Sequence, residues 1–126
     1  MLFLASVTKP IVATAMVQLV DEGRLDLHRP IGRDITAFRG GRRDRVAPWH
    51  ILTHTSGIPD LDLERLRRSR PSYEALLARV IASEPAFEPG SRYAYASDGF
   101  YLLAELLRVH TGMAFQDALR ARVMTP

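Results

Sequence analysis

Two side chains near the start of the sequence could form a nucleophile and its base. Ser6 and Lys9 are three positions apart, and this spacing places both side chains on one face of a helix. A serine hydroxyl becomes an effective nucleophile when a neighbouring base takes its proton, and a desolvated lysine amine can be that base. The pair therefore predicts acyl transfer through an ester of Ser6. A chance match is the alternative, because Ser-x-x-Lys sequences also occur without this chemistry.

Lys9 is the only lysine among the 17 lysine and arginine residues. Arginine keeps its proton at any ordinary pH, whereas a buried lysine can lose it. Chemistry that needs a neutral side-chain amine must therefore use Lys9. The sequence contains no cysteine, which excludes a disulfide framework, a thiolate nucleophile and a cysteine-based metal site.

The element that must position Ser6 and Lys9 is a predicted helix from Val7 to Glu22. Its residues are apolar almost all round, and Gly23 follows as a helix-ending glycine. Pro10 fixes the start of the helix close to Ser6 and Lys9, since proline is accommodated in a first helical turn. A helix of this composition is expected to be buried centrally.

The rest of the sequence predicts further helices and no extended sheet. Apolar periodicity, an N-capping serine and helix-ending glycines mark them. The predicted helices cover Pro48 to Thr53, Leu61 to Ser69, Ser72 to Ser83, Gly99 to His110 and Phe115 to Met124. The polar, arginine-rich stretch from Gly32 to Val46 is expected to be a loop. No run of β-branched or aromatic residues is long enough to build several strands.

Length and composition predict that residues 1–126 are a single soluble domain or part of one. Apolar residues make up 47% and charged residues 25% of the chain, as in ordinary globular proteins. The apolar stretch from Met1 to Val20 lacks a basic start, and Lys9 and Pro10 interrupt it. We therefore expect no signal peptide and no membrane span, and a cytoplasmic location if the N-terminus is complete.

Other groups that could bind a ligand favour structural roles. The arginines at 39–45 and 65–70 lack interleaved aromatic residues, which indicates a solvated face rather than a nucleic-acid site. His50 and His54 have the spacing of a helical metal pair, but no glutamate between them and no third ligand supports one. We expect no metal and no cofactor. His110 precedes Gly112 at a predicted helix end, where a cation is favoured.

Three landmarks in a fixed order cover almost the whole chain. They are residues 6–10 (SVTKP) with the apolar helix behind them, residues 51–58 (ILTHTSGI) and residues 89–100 (PGSRYAYASDGF). Together they resemble the serine β-lactamase and penicillin-binding-protein-like family, in particular its class C, esterase and D-aminopeptidase branches.

The resemblance implies roles for particular residues. Ser6 would be the acylated nucleophile, Lys9 its proton acceptor or relay, and Tyr95 the second member of the base system, while His54 would be structural. A phenol titrates at about pH 10, so Tyr95 would act as a base only if nearby positive charge lowered its pKa. The alternative is a packed tyrosine whose hydroxyl bonds to a carbonyl.

The sequence departs from the family pattern in two ways. Ser97 stands where the family carries asparagine, two residues after the tyrosine, and its side chain has no amide with which to bind substrate. The family's third motif is Lys-Thr-Gly or His-x-Gly on a strand that supplies an oxyanion N–H group, and no such strand is predicted before Pro126. His110-Thr111-Gly112 matches its letters but lies at a predicted helix end, where Gly112 is expected to be a cap. The resemblance therefore implies a mainly α chain, the helical portion of the α+β β-lactamase/transpeptidase-like fold, truncated at both ends and lacking most of its sheet.

The predicted function is a β-lactamase-related serine hydrolase that acts on a small-molecule or peptide amide or ester and is impaired by truncation. The alternative is a non-catalytic helical fragment or interaction module that retains the family landmarks. Because the Val7 to Glu22 helix would normally pack against a sheet, we expect exposed apolar faces that favour self-association.

Overall fold

The computed structural model of this protein describes residues 7–125. Within this range the chain forms helices and turns without a strand, which confirms the predicted mainly helical fold. The helices are α1 (Thr8–Asp21), α2 (Pro48–Leu52), α3 (Leu63–Ser69), α4 (Tyr73–Ala82), α5 (Phe100–Thr111) and α6 (Phe115–Leu119). A π-helical segment, Arg120–Met124, continues α6, and 3-10 turns occupy Ile31–Arg33 and Gly41–Arg45. None of the helices described is long and apolar enough to span a bilayer.

Local sequence signals define the ends of several helices as predicted. Gly23, just after the end of α1, and Gly112, at the end of α5, both adopt a left-handed conformation with φ of 70°, which only glycine adopts without steric strain. At the start of α4 the hydroxyl of Ser72 accepts a hydrogen bond from the Ala75 N–H group at 3.1 Å. These caps bond main-chain groups that have no partner within the helix.

Helix α5 is the centre of the hydrophobic core and contacts α1, α2, α4 and α6. Its apolar face is buried through Leu102, Leu103, Ala104, Leu106 and Leu107. Since Phe100 begins this helix, the packing of α5 fixes the position of the segment that carries Tyr95.

The prediction that α1 is buried centrally holds for one face only. The residues on that face are buried and pack into the core: Val12, Ala15, Met16 and Leu19. On the opposite side Val17 remains 46% exposed. The prediction from the apolar sequence therefore overestimated the burial of α1, because the described residues cover only one side of this helix.

The expectation of a plain loop from Gly32 to Val46 is wrong in part. This stretch contains the two 3-10 turns, and the Ile31 N–H group donates to the Val46 carbonyl at 2.9 Å. Three apolar side chains of this stretch are buried, Ile35, Phe38 and Val46, together with Ile31 just before it. At Gly32 a Cβ atom would lie 2.6 Å from the Phe38 carbonyl oxygen, so the close approach of the two backbones requires glycine.

The arginines of this stretch contact acidic residues of the same chain. Arg43 lies 3.4 Å from Glu84, and Arg42 and Arg45 both pair with Glu88. The Arg43 guanidinium also donates to the Ile81 carbonyl at 3.1 Å. Exposed pairs of this kind contribute little stability individually, but together they attach the turn to the segment that follows α4.

Candidate active site

Lys9 lies in the first turn of α1 and lines a cavity of about 270 Å³. The cavity is bounded by Lys9, Pro10, Ala13, Leu52, His54 and Phe100. Its walls therefore come from the starts of α1 and α5 and the end of α2. Ser6, the predicted nucleophile, lies outside the described residues.

The side chains of Lys9 and Tyr95 lie next to each other. The Lys9 Nζ atom is 5.0 Å from the centroid of the Tyr95 ring and 5.4 Å from the centroid of the Phe100 ring. Both distances fall within the range of a cation–π interaction, in which the ring face attracts the ammonium group. Tyr95 is 51% exposed, so a molecule in solution can reach the place where the two side chains meet.

Ser97 is half-buried and its main chain is anchored. Its N–H group donates to the Asp60 carboxylate at 2.7 Å, and the Asp98 N–H group donates to the same oxygen at 3.0 Å. Asp98 in turn accepts a hydrogen bond from the Leu61 N–H group. Two carboxylates thus link the segment after Gly57 to the segment that carries Tyr95.

Sequence analysis did not identify Asp60 or Asp98 as part of this site. Asp98 is 6% exposed, and burial raises the pKa of its carboxyl group. The Leu61 N–H bond and the charge of Lys9 act against this rise, whereas the Asp60 charge adds to it. A single acidic residue directly before the apolar α5 helix was the available signal. The hydrogen-bond partners of Asp98, Leu61 and Asp60, are 37 and 38 residues away in the sequence.

Replacing Asp98 by asparagine is expected to raise the free energy of unfolding at neutral pH, because an amide at this buried position carries no charge to desolvate. The wild-type carboxyl takes up a proton in the folded protein as the pH falls through its raised pKa. The difference between variant and wild type should therefore shrink toward acidic pH. Urea unfolding at neutral and mildly acidic pH measures this difference. Asp117→Asn, an exposed change on α6, is the control, and a difference that grew on acidification would contradict the prediction.

His54 lies immediately beside Tyr95. The two rings stack with centroids 4.5 Å apart and planes inclined by 29°. The Nδ1 atom of His54 is 3.2 Å from the Ala96 nitrogen, and the Nδ1 atom of His50 accepts a hydrogen bond from the Ala47 N–H group at 3.0 Å. Both histidines therefore contact main-chain groups. Among residues 7–125 no group of three acidic or histidine side chains could hold a metal ion.

The end of α5 does not contribute to this site. His110 lies in the last turn of the helix, with its Nε2 atom 3.6 Å from the Asp34 carboxylate, and Gly112 caps the helix. The sequence His110-Thr111-Gly112 is therefore a helix end, as predicted, and not the strand motif that it superficially matches.

Known proteins resemble the chain along nearly its whole length. The sequence model described as Beta-lactamase matches residues 2–126. Esterase EstB of Burkholderia gladioli is 35% identical over 140 residues, which cover 98% of this chain and 36% of the esterase. The D-aminopeptidase of Brucella anthropi is 40% identical over 98 residues, or 78% of this chain and 17% of that enzyme.

A solved structure also resembles this chain over nearly its whole length. The D-amino acid amidase of Ochrobactrum anthropi SV3 superposes with a TM-score of 0.83 at 26% identity, over 99% of this chain and 38% of that protein. The chain thus spans less than two fifths of the length of each of these proteins. Its helices correspond to the helical portion of the β-lactamase/transpeptidase-like fold. With a family model matching residues 2–126 and this agreement in fold, the chain belongs to the β-lactamase family.

Proposed function

We propose that this chain carries the nucleophile and the proton-transfer groups of a serine hydrolase that acts by acyl transfer. The observation that supports the proposal is the position of the Lys9 amine, 5.0 Å from the Tyr95 ring at the edge of an accessible cavity. Ser6 precedes Lys9 by three positions. The only amine side chain and a phenol thus meet at the start of α1, and the serine lies just ahead of this helix in the sequence.

In the proposed reaction the Ser6 hydroxyl attacks the carbonyl carbon of an ester or amide. Its proton passes to the neutral Lys9 amine, directly or through the Tyr95 phenol, and a tetrahedral intermediate forms. Collapse of the intermediate breaks the bond to the leaving alcohol or amine, which takes up the proton from Lys9. Water then hydrolyses the serine ester by the same route in reverse.

The proposed substrates are small esters and amides, the classes named by the related esterase and D-aminopeptidase. Ser97 would contact the substrate with a hydroxyl, a shorter group than an amide. In the family pattern a strand supplies one N–H group of the oxyanion hole, and the described residues contain no strand. Loss of one oxyanion donor slows acyl transfer by about 10²- to 10³-fold. We therefore expect this chain to hydrolyse activated esters slowly and β-lactams weakly or not at all.

The proposal is tested by treating the chain with a fluorophosphonate or a p-nitrophenyl ester and mapping the adduct by mass spectrometry. We expect one adduct, on Ser6, in the wild-type chain and in Ser91→Ala, which alters an exposed serine outside the cavity. Ser6→Ala should remain unlabelled. An adduct that persists in Ser6→Ala would place the nucleophile elsewhere. Absence of any adduct would favour a non-catalytic helical module that retains the family landmarks.

A further inference from the structure

The conformation of His54 is unusual for a residue with a side chain. Its φ angle is 58°, in the left-handed region. The His54 N–H group donates to the Ile51 carbonyl at 3.2 Å, and the Thr55 N–H group donates to the His50 carbonyl at 2.8 Å. These two bonds form the Schellman motif that ends many helices, and His54 occupies the position that is usually glycine.

Glycine at position 54 would end α2 with less steric strain, because it adopts left-handed angles freely. Histidine therefore needs a reason that the helix end alone does not provide. Strained residues that the surrounding structure holds in place occur preferentially at functional sites. The contacts of the His54 side chain supply that reason.

His54 bonds to the main chain of both residues that flank Tyr95. Its carbonyl accepts a hydrogen bond from the Ala94 N–H group at 2.8 Å, and its Nδ1 atom is 3.2 Å from the Ala96 nitrogen. Nδ1 is also 3.1 Å from the Ala96 carbonyl oxygen, so the ring bonds to Ala96 whether Nδ1 accepts or donates. The imidazole is in addition stacked on the Tyr95 ring at 4.5 Å.

We propose that His54 is a positioning residue that fixes the Tyr95 ring beside the Lys9 amine. The proposal rests on the function proposed above, since it assigns His54 a role in orienting one of the proton-transfer groups. Tyr95 is half exposed and lies in a segment without regular secondary structure. Two hydrogen bonds to the residues on either side of Tyr95 and one contact with its ring therefore act from a single residue on the position of this side chain. His54 itself transfers no proton in this scheme.

The substitution His54→Gly separates positioning from simple support of the helix end. It preserves the left-handed backbone that ends α2 and the carbonyl that binds Ala94, but it removes the ring and the Nδ1 contact. His54→Asn tolerates the same backbone angles and keeps a short side-chain acceptor for the Ala96 N–H group. Arg70→Gly is the matched control, because Arg70 is the other non-glycine residue in the described range with positive φ, at the end of α3.

We expect His54→Gly to slow fluorophosphonate labelling of Ser6 by about 10- to 100-fold, the size of effect that follows misplacement of a catalytic group by about 1 Å. Its thermal unfolding midpoint should remain close to that of the wild type. Nuclear Overhauser contacts between the Tyr95 ring protons, assigned with Tyr95→Phe, and the Lys9 side chain should weaken in His54→Gly, because these contacts report the distance between the two side chains. His54→Asn should recover part of the labelling rate, and Arg70→Gly should leave labelling and the Tyr95–Lys9 contacts unchanged.

A wild-type labelling rate in His54→Gly together with unchanged Tyr95–Lys9 Overhauser contacts would overturn the proposal. A lower unfolding midpoint as the only effect of His54→Gly would also overturn the proposal, because it would show that His54 only stabilises the end of α2. The Overhauser measurement needs no turnover. If Ser6 of the wild-type chain takes no label, the proposed function fails, while the Tyr95–Lys9 contacts still decide whether His54 positions that ring.

Discussion

Replacing Lys9 by arginine is expected to slow labelling of Ser6 by about 10²- to 10⁴-fold, the usual contribution of a general base. Arginine preserves the positive charge and can lie over the same Tyr95 and Phe100 rings. It cannot release its proton at ordinary pH, however, and so cannot accept one from the Ser6 hydroxyl. The pseudo-first-order rate of adduct formation with a p-nitrophenyl ester, followed by intact-protein mass spectrometry, measures the effect.

Lys9→Met is the companion variant, because it removes the charge and the base together while keeping a side chain of similar length. If Lys9 acts by proton transfer, the two variants should be slowed to a similar extent. Near wild-type labelling of Lys9→Arg, with loss only in Lys9→Met, would show that Lys9 contributes charge alone. That result would remove Lys9 from the proton-transfer scheme.

Replacing Phe38 by alanine is expected to lower the free energy of unfolding by about 3 to 5 kcal/mol, the usual effect of truncating a fully buried phenylalanine. Phe38 is 0% exposed although it lies in a segment without a long helix. Small domains are stable by only about 5 to 15 kcal/mol, so the variant loses a large share of its stability. Urea denaturation followed by far-ultraviolet circular dichroism measures the loss.

Val109→Ala is the control for Phe38→Ala, since Val109 is 43% exposed on α5. Its effect should be within about 0.5 kcal/mol, as for most surface substitutions. Equal losses in the two variants would mean that the segment around Phe38 does not pack on the core as the structure describes.

The helices could be predicted from the sequence because their signals are local. Gly23, Ser72 and Gly112 each mark a helix end through the conformation or hydrogen bond of a single residue. The periodicity of the α5 residues identified its buried face in the same way. Such signals depend on neighbours within four or five positions and do not require knowledge of the rest of the fold.

The remaining features depend on contacts between distant residues. Phe38 appeared to belong to a polar loop because its arginine neighbours dominate the local composition. Their partners, Glu84 and Glu88, come only after α4. His54 and Ala96 are 42 residues apart. The pairing of Lys9 with Tyr95 entered the sequence analysis through the family resemblance, since no local pattern relates the two residues.

The end of α1 is bonded to the π-helical segment near the end of the described chain. The Arg122 guanidinium donates to the Glu22 carboxylate at 2.7 Å across 100 residues of sequence, and the Gln18 amide donates to the Arg122 carbonyl at 3.0 Å. A ribosome adds about 5 to 20 residues per second, so roughly 5 to 20 seconds separate the synthesis of these partners. During that interval the apolar face of α1 has emerged but lacks its final neighbours. Nascent chains of this protein are therefore expected to be most prone to chaperone capture and aggregation before α5 and α6 have been translated.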